Sequence, residues 1–308
     1  MDDHHTSRRG ILGCMLWAGS GVLWTVAGGV PRSSLFGAAQ AAEAGFSFAQ
    51  ISDSHIGFAR EPNLDTPATL AEGLALAKTG KPAFMLHTGD VTHLSKPAEF
   101  DAAGQIIAAT GIDTHYVPGE HDVLAEGGTK PFIERFQRGH AQGAPGGGFY
   151  SFDQGGVHFI GLNNVTDLKA GGLGNLGAAQ LDWLGRDLAG RSASTPIVVF
   201  AHIPLWTVYE AWGWGTEDAA QALGLLKRFG SVTVLNGHIH QVMQKVEGNV
   251  AFHSARSTAF PQPAPGSAPS PGPMKVAAGR LKGFLGVASV SLVPGNAALA
   301  VVDTALGA

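Results

Sequence analysis

Asp53 and His55 stand two positions apart, and four further polar clusters follow in order: Gly89-Asp90, Gly119-Glu120-His121-Asp122, a single His202, and Gly237-His238-Ile239-His240. Carboxylates and imidazoles are good ligands for iron, manganese and zinc, and the lack of thiolates among them removes the soft, structural alternatives. One aspartate can lie between two ions and leave a hydroxide between them as a nucleophile. That is hydrolytic chemistry. Gly89, Gly119 and Gly237 allow tight turns that bring short side chains inward.

Each cluster closes or follows a run with strand character. Phe46–Ile51, Ala83–His87, Thr114–Val117, Ile197–Ala201 and Val232–Leu235 lead into the five clusters, and Gly156–Leu162 reads as a sixth strand. Helical patterns lie between them. Thr66-Pro67 opens one, with Leu70, Leu74 and Ala77 at helical spacing. Ser95-Lys96-Pro97 opens another that Gly111 closes, and Gly177–Ala189 carries Leu181, Leu184 and Leu188 on one face. A fourth is expected from about Glu217 to Phe229 with Thr216 as N-cap. Alternating strands and helices predict a layered α/β fold whose sheets are covered by helices, and strand ends on one edge of a sheet are where such folds gather a site. Pro261–Pro273 is rich in Pro, Ala and Ser and should be extended, either as a cap over the site or as a connector. Val287–Val293 and Ala298–Val302 read as a closing strand pair around Pro294-Gly295-Asn296.

At 308 residues, 14% charged and 44% apolar, the chain is globular in composition, with a net charge of -4 and no basic run. A nucleic-acid partner is not expected. Ser7-Arg8-Arg9-Gly10-Ile11-Leu12, the apolar run Ile11–Val30 and Ala39-Gln40-Ala41 resemble a bacterial twin-arginine signal with its cleavage site. Residues 1–41 are therefore expected to be removed after passage through the twin-arginine machinery, leaving 42–308 in the periplasm or outside the cell with no membrane span. The competing reading is an uncleaved anchor, since the run is long enough to cross a bilayer. Cys14 is the only cysteine, so the mature chain has no disulfide.

The ordered set D-x-H, G-D, G-x-H-D, H and G-H-x-H, from Phe46 to His253, resembles the signature of the calcineurin-like metallophosphoesterase superfamily. Among its members it looks most like the small bacterial phosphodiesterases related to class III cyclic-nucleotide enzymes. The resemblance implies a β-sandwich flanked by helices in four α/β/β/α layers. It implies two metal ions, iron or manganese first and zinc as an option. Asp53, His55 and His240 would hold one ion, His202, His238 and Glu120 the other, with Asp90 between them. His121 would serve as acid or donor at the leaving group, oriented by Asp122. The implied reaction is hydrolysis of a small phosphodiester by a hydroxide bridging the metals.

Three features depart from the pattern. The place of Glu120 is normally asparagine; as a ligand, Glu120 would raise the carboxylates from two to three, favour a harder or more highly charged ion and make the pair less electrophilic. Purple acid phosphatases have tyrosine where this chain has His93. Ser/Thr protein phosphatases continue G-D-x-x-D-R-G, unlike Gly89-Asp90-Val91-Thr92-His93-Leu94-Ser95. A phosphomonoesterase or nucleotidase, and a non-catalytic metal-binding protein altered at Glu120, remain as alternatives. His87, His115, His158 and His253 read as structural; His93 is close enough to Asp90 to support a ligand or touch substrate. The aromatic stretch Trp206–Trp214 is either a wall of the site or a packing insertion.

Overall fold

The computed structural model describes residues 22–27, 30–35, 46–138, 147–277, 279–292 and 299–307. The twin-arginine motif, the Ala39-Gln40-Ala41 site and the Pro294-Gly295-Asn296 turn lie outside them. Strands β1 (Val22–Ala27) and β2 (Val30–Leu35) pair only with each other. No helix of the described residues is long and apolar enough to cross a membrane.

Two sheets make the body. The first runs β13 (Leu299–Ala305), β12 (Gly286–Leu292), β3 (Ser47–Ile51), β4 (Met85–His87), β5 (Thr114–Tyr116). The second runs β10 (Met243–Glu247), β11 (Val250–Ser254), β9 (Val232–Asn236), β8 (Ile197–Phe200), β7 (Val157–Gly161), β6 (Tyr150–Gln154). Strands β3, β4 and β5 are mutually parallel, as are β7, β8, β9 and β11. The C-terminal pair packs onto the first sheet, β12 antiparallel to β3 with Ala288 opposite Gln50.

Alternation along the strands separates the layers. Phe48, Leu86, Val117, Phe159, Val198, Phe200 and Leu235 point between the sheets into one buried cluster. Phe48 and Phe84 stack there at 5.1 Å, with the Phe159 ring edge-on to both. Each such ring is worth about 1.5–3 kcal/mol of burial. The residues between point outward. Ala49, Ile51, Met85 and Tyr116 meet helices α1 (Thr66–Thr79), α2 (Pro97–Ala108) and α3 (Lys130–Phe136). Ile160, Ile197, Val199 and Val234 meet α4 (Ala178–Ala189) and α5 (Ala219–Leu226). The result is four layers, α/β/β/α.

The expected helices form with adjusted ends. Asp65, one residue before the expected start, caps α1 by accepting from the Ala68 N–H at 3.0 Å. Thr216 is not the cap of α5, which starts at Ala219. Its hydroxyl instead donates to Pro204 O at 2.9 Å and accepts from Asn164 at 2.9 Å, tying down the chain after His202. Strands β6, β10 and β11 and helix α3 were not legible as elements. β10 is an edge with four of its five residues exposed, so burial imposes no alternation on its sequence.

Candidate metal centre

The parallel strands of both sheets deliver their C-terminal ends to one place. Two loops leave β3 and β4 side by side: Asp53 N donates to Gly89 O at 3.0 Å, His55 N to Asp90 O at 2.9 Å and Ile56 N to Val91 O at 3.0 Å. Asp53, His55, Asp90, His238 and His240 all adopt left-handed backbone, with φ of 53°, 41°, 52°, 69° and 53°. Residues with a Cβ avoid that region, at a cost of about 1–3 kcal/mol each. Five such residues at one point mark a site whose geometry the surrounding fold imposes. Gly119 and Gly237 are required by close approach: a Cβ at the first would run into the Asp90 carboxylate, and at the second into Ser52 and Asp53.

The side chains form two groups that share Asp90. In one, His240 Nε2 lies 3.2 Å from Asp53 Oδ1 and 3.3 Å from His55 Nε2. In the other, Glu120 uses both oxygens, Oε2 at 2.8 Å from His202 Nε2 and Oε1 at 2.9 Å from His238 Nδ1. Asp90 Oδ2 stands 3.5 Å from His55 Nε2 and 3.4 Å from His202 Nε2, between the two sets. Ligands of one ion at about 2.1 Å lie roughly 3–3.5 Å from each other, so these separations suit two adjacent ions. Buried atoms argue the same way: His202 Nε2, both ring nitrogens of His238 and Glu120 Oε2 have no ordinary hydrogen-bond partner. The residues present thus fit a dinuclear centre.

The remaining atoms of the ligands are oriented from behind. His202 Nδ1 donates to Thr88 O at 2.7 Å and His240 Nδ1 to Phe260 O at 2.5 Å, leaving each Nε2 to face the centre. Asp53 accepts from the His238 N–H at 3.0 and 3.2 Å. Burial lowers His55 well below the usual histidine range, and the charges of His121, His240 and His93 lower it further, so it is a neutral donor. Burial also acts to lower His202, but Asp90 and Glu120 outweigh it and raise this group well above its usual range. Burial would raise Glu120; His238 and His202 reverse that and hold it well below the carboxylate range. A cation held by His202 would take the place of a proton on Nε2.

His121 lies beside this centre. Its N–H donates to Asp90 Oδ1 at 2.9 Å, and its ring Nδ1 donates to His93 O at 2.7 Å, leaving Nε2 for the cavity it lines. Burial works against the charged imidazole, but Asp90 and Glu120 raise its affinity for a proton overall. Asp122 does not touch that ring, contrary to the expected orienting role. Its carboxylate accepts from Val91 N at 3.1 Å, Thr92 N at 2.8 Å, Thr92 Oγ1 at 2.9 Å and Gly119 N at 3.0 Å, so it clamps the Asp90 loop to the turn carrying Glu120 and His121. Orientation of His121 falls to the His93 carbonyl.

His93 joins the site: Nδ1 is 3.4 Å from His55 Nδ1, and its ring stacks on His121 at 4.9 Å. The other histidines among the described residues are structural. His87 pairs with Ser54 at 2.7 Å, His158 with Asp187 at 2.6 Å and Asp153 at 2.9 Å, and His253 with Asp303 at 2.9 Å, while His115 stacks on Phe152. None of the aromatic residues of Trp206–Trp214 lines the cavity among the described residues. Trp206 stacks on Phe252, and Trp212 and Trp214 pack with Ile239, Met243 and Ala268. The stretch is a packing insertion, and through Ala268 it supports the Pro-rich segment.

The cavity over the two ligand groups is about 150 Å³. Arg60 and Phe260 line it and were not anticipated, while Gln262, Gly272 and Pro273 bring the Pro-rich segment to the site, as its reading as a cap expects. Phe260 stacks on His55 and His240, both at 4.7 Å, sealing the back of the first group. Only its place beside a Pro-rich stretch hinted at this. A larger groove of about 480 Å³ between α4 and α5 holds no cluster of metal-ligand type among the described residues.

Known proteins resemble this chain in sequence and in fold. Over 223 residues the chain is 27% identical to a 3',5'-cyclic-nucleotide phosphodiesterase of Nostoc sp. (strain PCC 7120), covering 70% of this chain and 79% of that protein. It is also 27% identical to a probable cyclic nucleotide phosphodiesterase of Synechococcus sp. (strain ATCC 27144), over 70% of this chain and 83% of the other. A dimetal phosphatase from Danio rerio has the same fold, with a TM-score of 0.62 and 13% identity over 85% of this chain and 96% of that one. Residues 46–242 match the family model described as calcineurin-like phosphoesterase. That match spans the parallel strands β3, β4, β5, β7, β8 and β9 and every residue of the two ligand groups, and the chain belongs to the calcineurin-like phosphoesterase family.

Proposed function

We propose that this chain is a dinuclear metal phosphodiesterase, with iron or manganese as its ions. The observation that carries the reading is Asp90 Oδ2 set between two carboxylate–imidazole groups, with His121 beside them. Two bound ions would supply Lewis-acid charge for the phosphoryl oxygens and a water of lowered pKa. The chain's own residues do the rest. Asp53, His55 and His240 hold one side, and Glu120, His202 and His238 the other. His121, with Nδ1 fixed on the His93 carbonyl, presents Nε2 to the leaving group, where a proton is needed. Asp122 keeps the two loops in register.

Charge favours a diester over a monoester. Asp53, Asp90 and Glu120 place three carboxylates at the centre. Against two divalent ions they leave one positive charge, which balances a diester monoanion better than a monoester dianion. The names borne by the Nostoc and Synechococcus relatives support the same choice. The chain from Ala42 onward, loaded with manganese, should hydrolyse bis-p-nitrophenyl phosphate with kcat/KM about tenfold or more above that for p-nitrophenyl phosphate, the 1.4 kcal/mol of one uncompensated charge. A reversed ratio would point to a monoesterase or nucleotidase. No turnover with two ions bound would leave a non-catalytic metal-binding protein.

We also propose export by the twin-arginine route, on the strength of Ser7-Arg8-Arg9-Gly10-Ile11-Leu12 and the Ala39-Gln40-Ala41 site. Replacing Arg8 and Arg9 by lysine should retain the full-length protein in the cytoplasmic fraction of a bacterial host. Normal processing and periplasmic recovery of that variant would refute the route.

A further inference from the structure

Arg60 is the one Lys or Arg among the described residues lining the cavity over the metal-ligand groups. It sits on a tight turn closed by the Asn63 N–H donating to Arg60 O at 2.9 Å. Buried Asn63 fixes that turn through Nδ2, which donates to Ala259 O at 2.8 Å and Thr69 Oγ1 at 2.9 Å. The Arg60 guanidinium lies 5.3 Å from the centroid of Phe58, whose ring packs at 4.5 Å on Phe260 and so continues the back wall of the first ligand group. Among the described residues the guanidinium has no carboxylate or carbonyl partner. Arg60 is exposed, and its planar fork of five donors, beside an aromatic ring and lining the cavity, is available to an oxyanion.

The Pro-rich segment limits where that oxyanion can lie. Phe260 O holds His240, and Gln262 Nε2 donates to His238 O at 3.0 Å. The Met274 N–H donates to Pro261 O at 2.8 Å, so the Pro-rich segment is a closed loop anchored at both ends. Its tip rests on the Tyr209–Trp214 insertion through Ala268. Gln262, Gly272 and Pro273 of this loop line the same cavity. A phosphoryl group over the ions therefore has one Lys or Arg neighbour within the cavity lining of the described residues. The field of Arg60 already reaches inward, being one of the charges that hold His93 down after burial and His121.

We propose that Arg60 is a specificity residue that binds a second, non-reacting oxyanion of the substrate, so that the preferred phosphodiester carries a carboxylate or a further phosphate near the reacting group. This rests on the phosphodiesterase reading above and extends it. The ions and three carboxylates balance the single charge of the diester, and Arg60 balances the additional one.

The test is calorimetric binding to the manganese-loaded chain of 3-phosphonopropionate and propylphosphonate, which differ by a carboxylate in place of a methyl. The wild type should bind the carboxylate-bearing compound roughly ten- to a hundredfold tighter. In Arg60→Met and Arg60→Gln that ratio should collapse toward one, with Arg60→Lys intermediate, because a lysine keeps the charge and loses the fork. A wild-type ratio of one overturns the inference. So does a ratio that survives in Arg60→Met, which would place the carboxylate on the ions, or an equal loss for both compounds, which would place Arg60 on the reacting phosphoryl group. If neither compound binds a chain that still hydrolyses bis-p-nitrophenyl phosphate, this inference fails alone; if that diester is not turned over either, the phosphodiesterase reading fails and takes this inference with it.

Discussion

Asp90→Ala should lose metal binding at both positions together and, with it, nearly all hydrolysis. Asp90 Oδ2 is the atom common to the two groups, 3.5 Å from His55 Nε2 and 3.4 Å from His202 Nε2, while Oδ1 holds the His121 N–H. Its removal takes a ligand from each ion and frees the turn that carries Glu120 and His121. Several kcal/mol of stabilisation of the reacting group depend on those ions, so turnover should fall on the order of a thousandfold or more. Binding leaves an independent mark on stability. A ligand present at a hundred times its Kd adds about 2.7 kcal/mol, or roughly 5–10 °C of melting temperature in a domain of this size. Manganese should raise the wild-type melting temperature by that amount and Asp90→Ala by a degree or less. If elemental analysis found two tightly held ions in the variant, Asp90 would not be the shared ligand.

Glu120 yields the second large effect, and two substitutions separate its roles. Both of its oxygens are engaged, one on His202 and one on His238, so Glu120→Ala leaves two imidazoles without their carboxylate partner. That variant should retain one ion per chain and lose at least about a hundredfold in diester turnover, the upper range for disrupting the support of a metal ligand. Glu120→Asn keeps an oxygen donor and removes one negative charge. It should keep two ions and gain roughly fivefold in kcat, the value of about 1 kcal/mol for one charge near the solvated limit, since Glu120 is only half-buried. A single ion in Glu120→Asn would mean that the extra methylene is needed to reach His238. Unchanged metal content in Glu120→Ala would remove Glu120 from the centre altogether.

The two substitutions also mark how far the sequence could be read. Asp53, His55, Asp90, Glu120, His202, His238 and His240 each close a legible apolar run, because a strand end followed by glycine and a short polar side chain is a local pattern. The strands were legible for the same reason: β3, β4, β7 and β8 are buried on both faces and read as largely apolar runs, whereas the four-layer order was implied by the family resemblance. Where burial imposes nothing, as in edge strand β10, the pattern vanished. The role expected for Asp122 failed on a different ground. Adjacency in sequence to His121 suggested contact, but the turn at Gly119 sends the two side chains in opposite directions, one into the cavity and the other under the Asp90 loop.

By itself the sequence determined the fold class, the order of the strands that carry ligands, and the chemical identity of the metal donors, since those depend on residue type and on periodicities of a few residues. Only the tertiary structure decided which groups face one another across 185 residues, as His55 and His240 do. It also decided that the Trp206–Trp214 insertion props up the Pro-rich loop rather than lining the cavity, and that Arg60 does line it. These are outcomes of packing between segments distant in the chain. The physical reason is that side-chain direction and partner depend on the whole set of close-packed neighbours, which no local window of sequence contains.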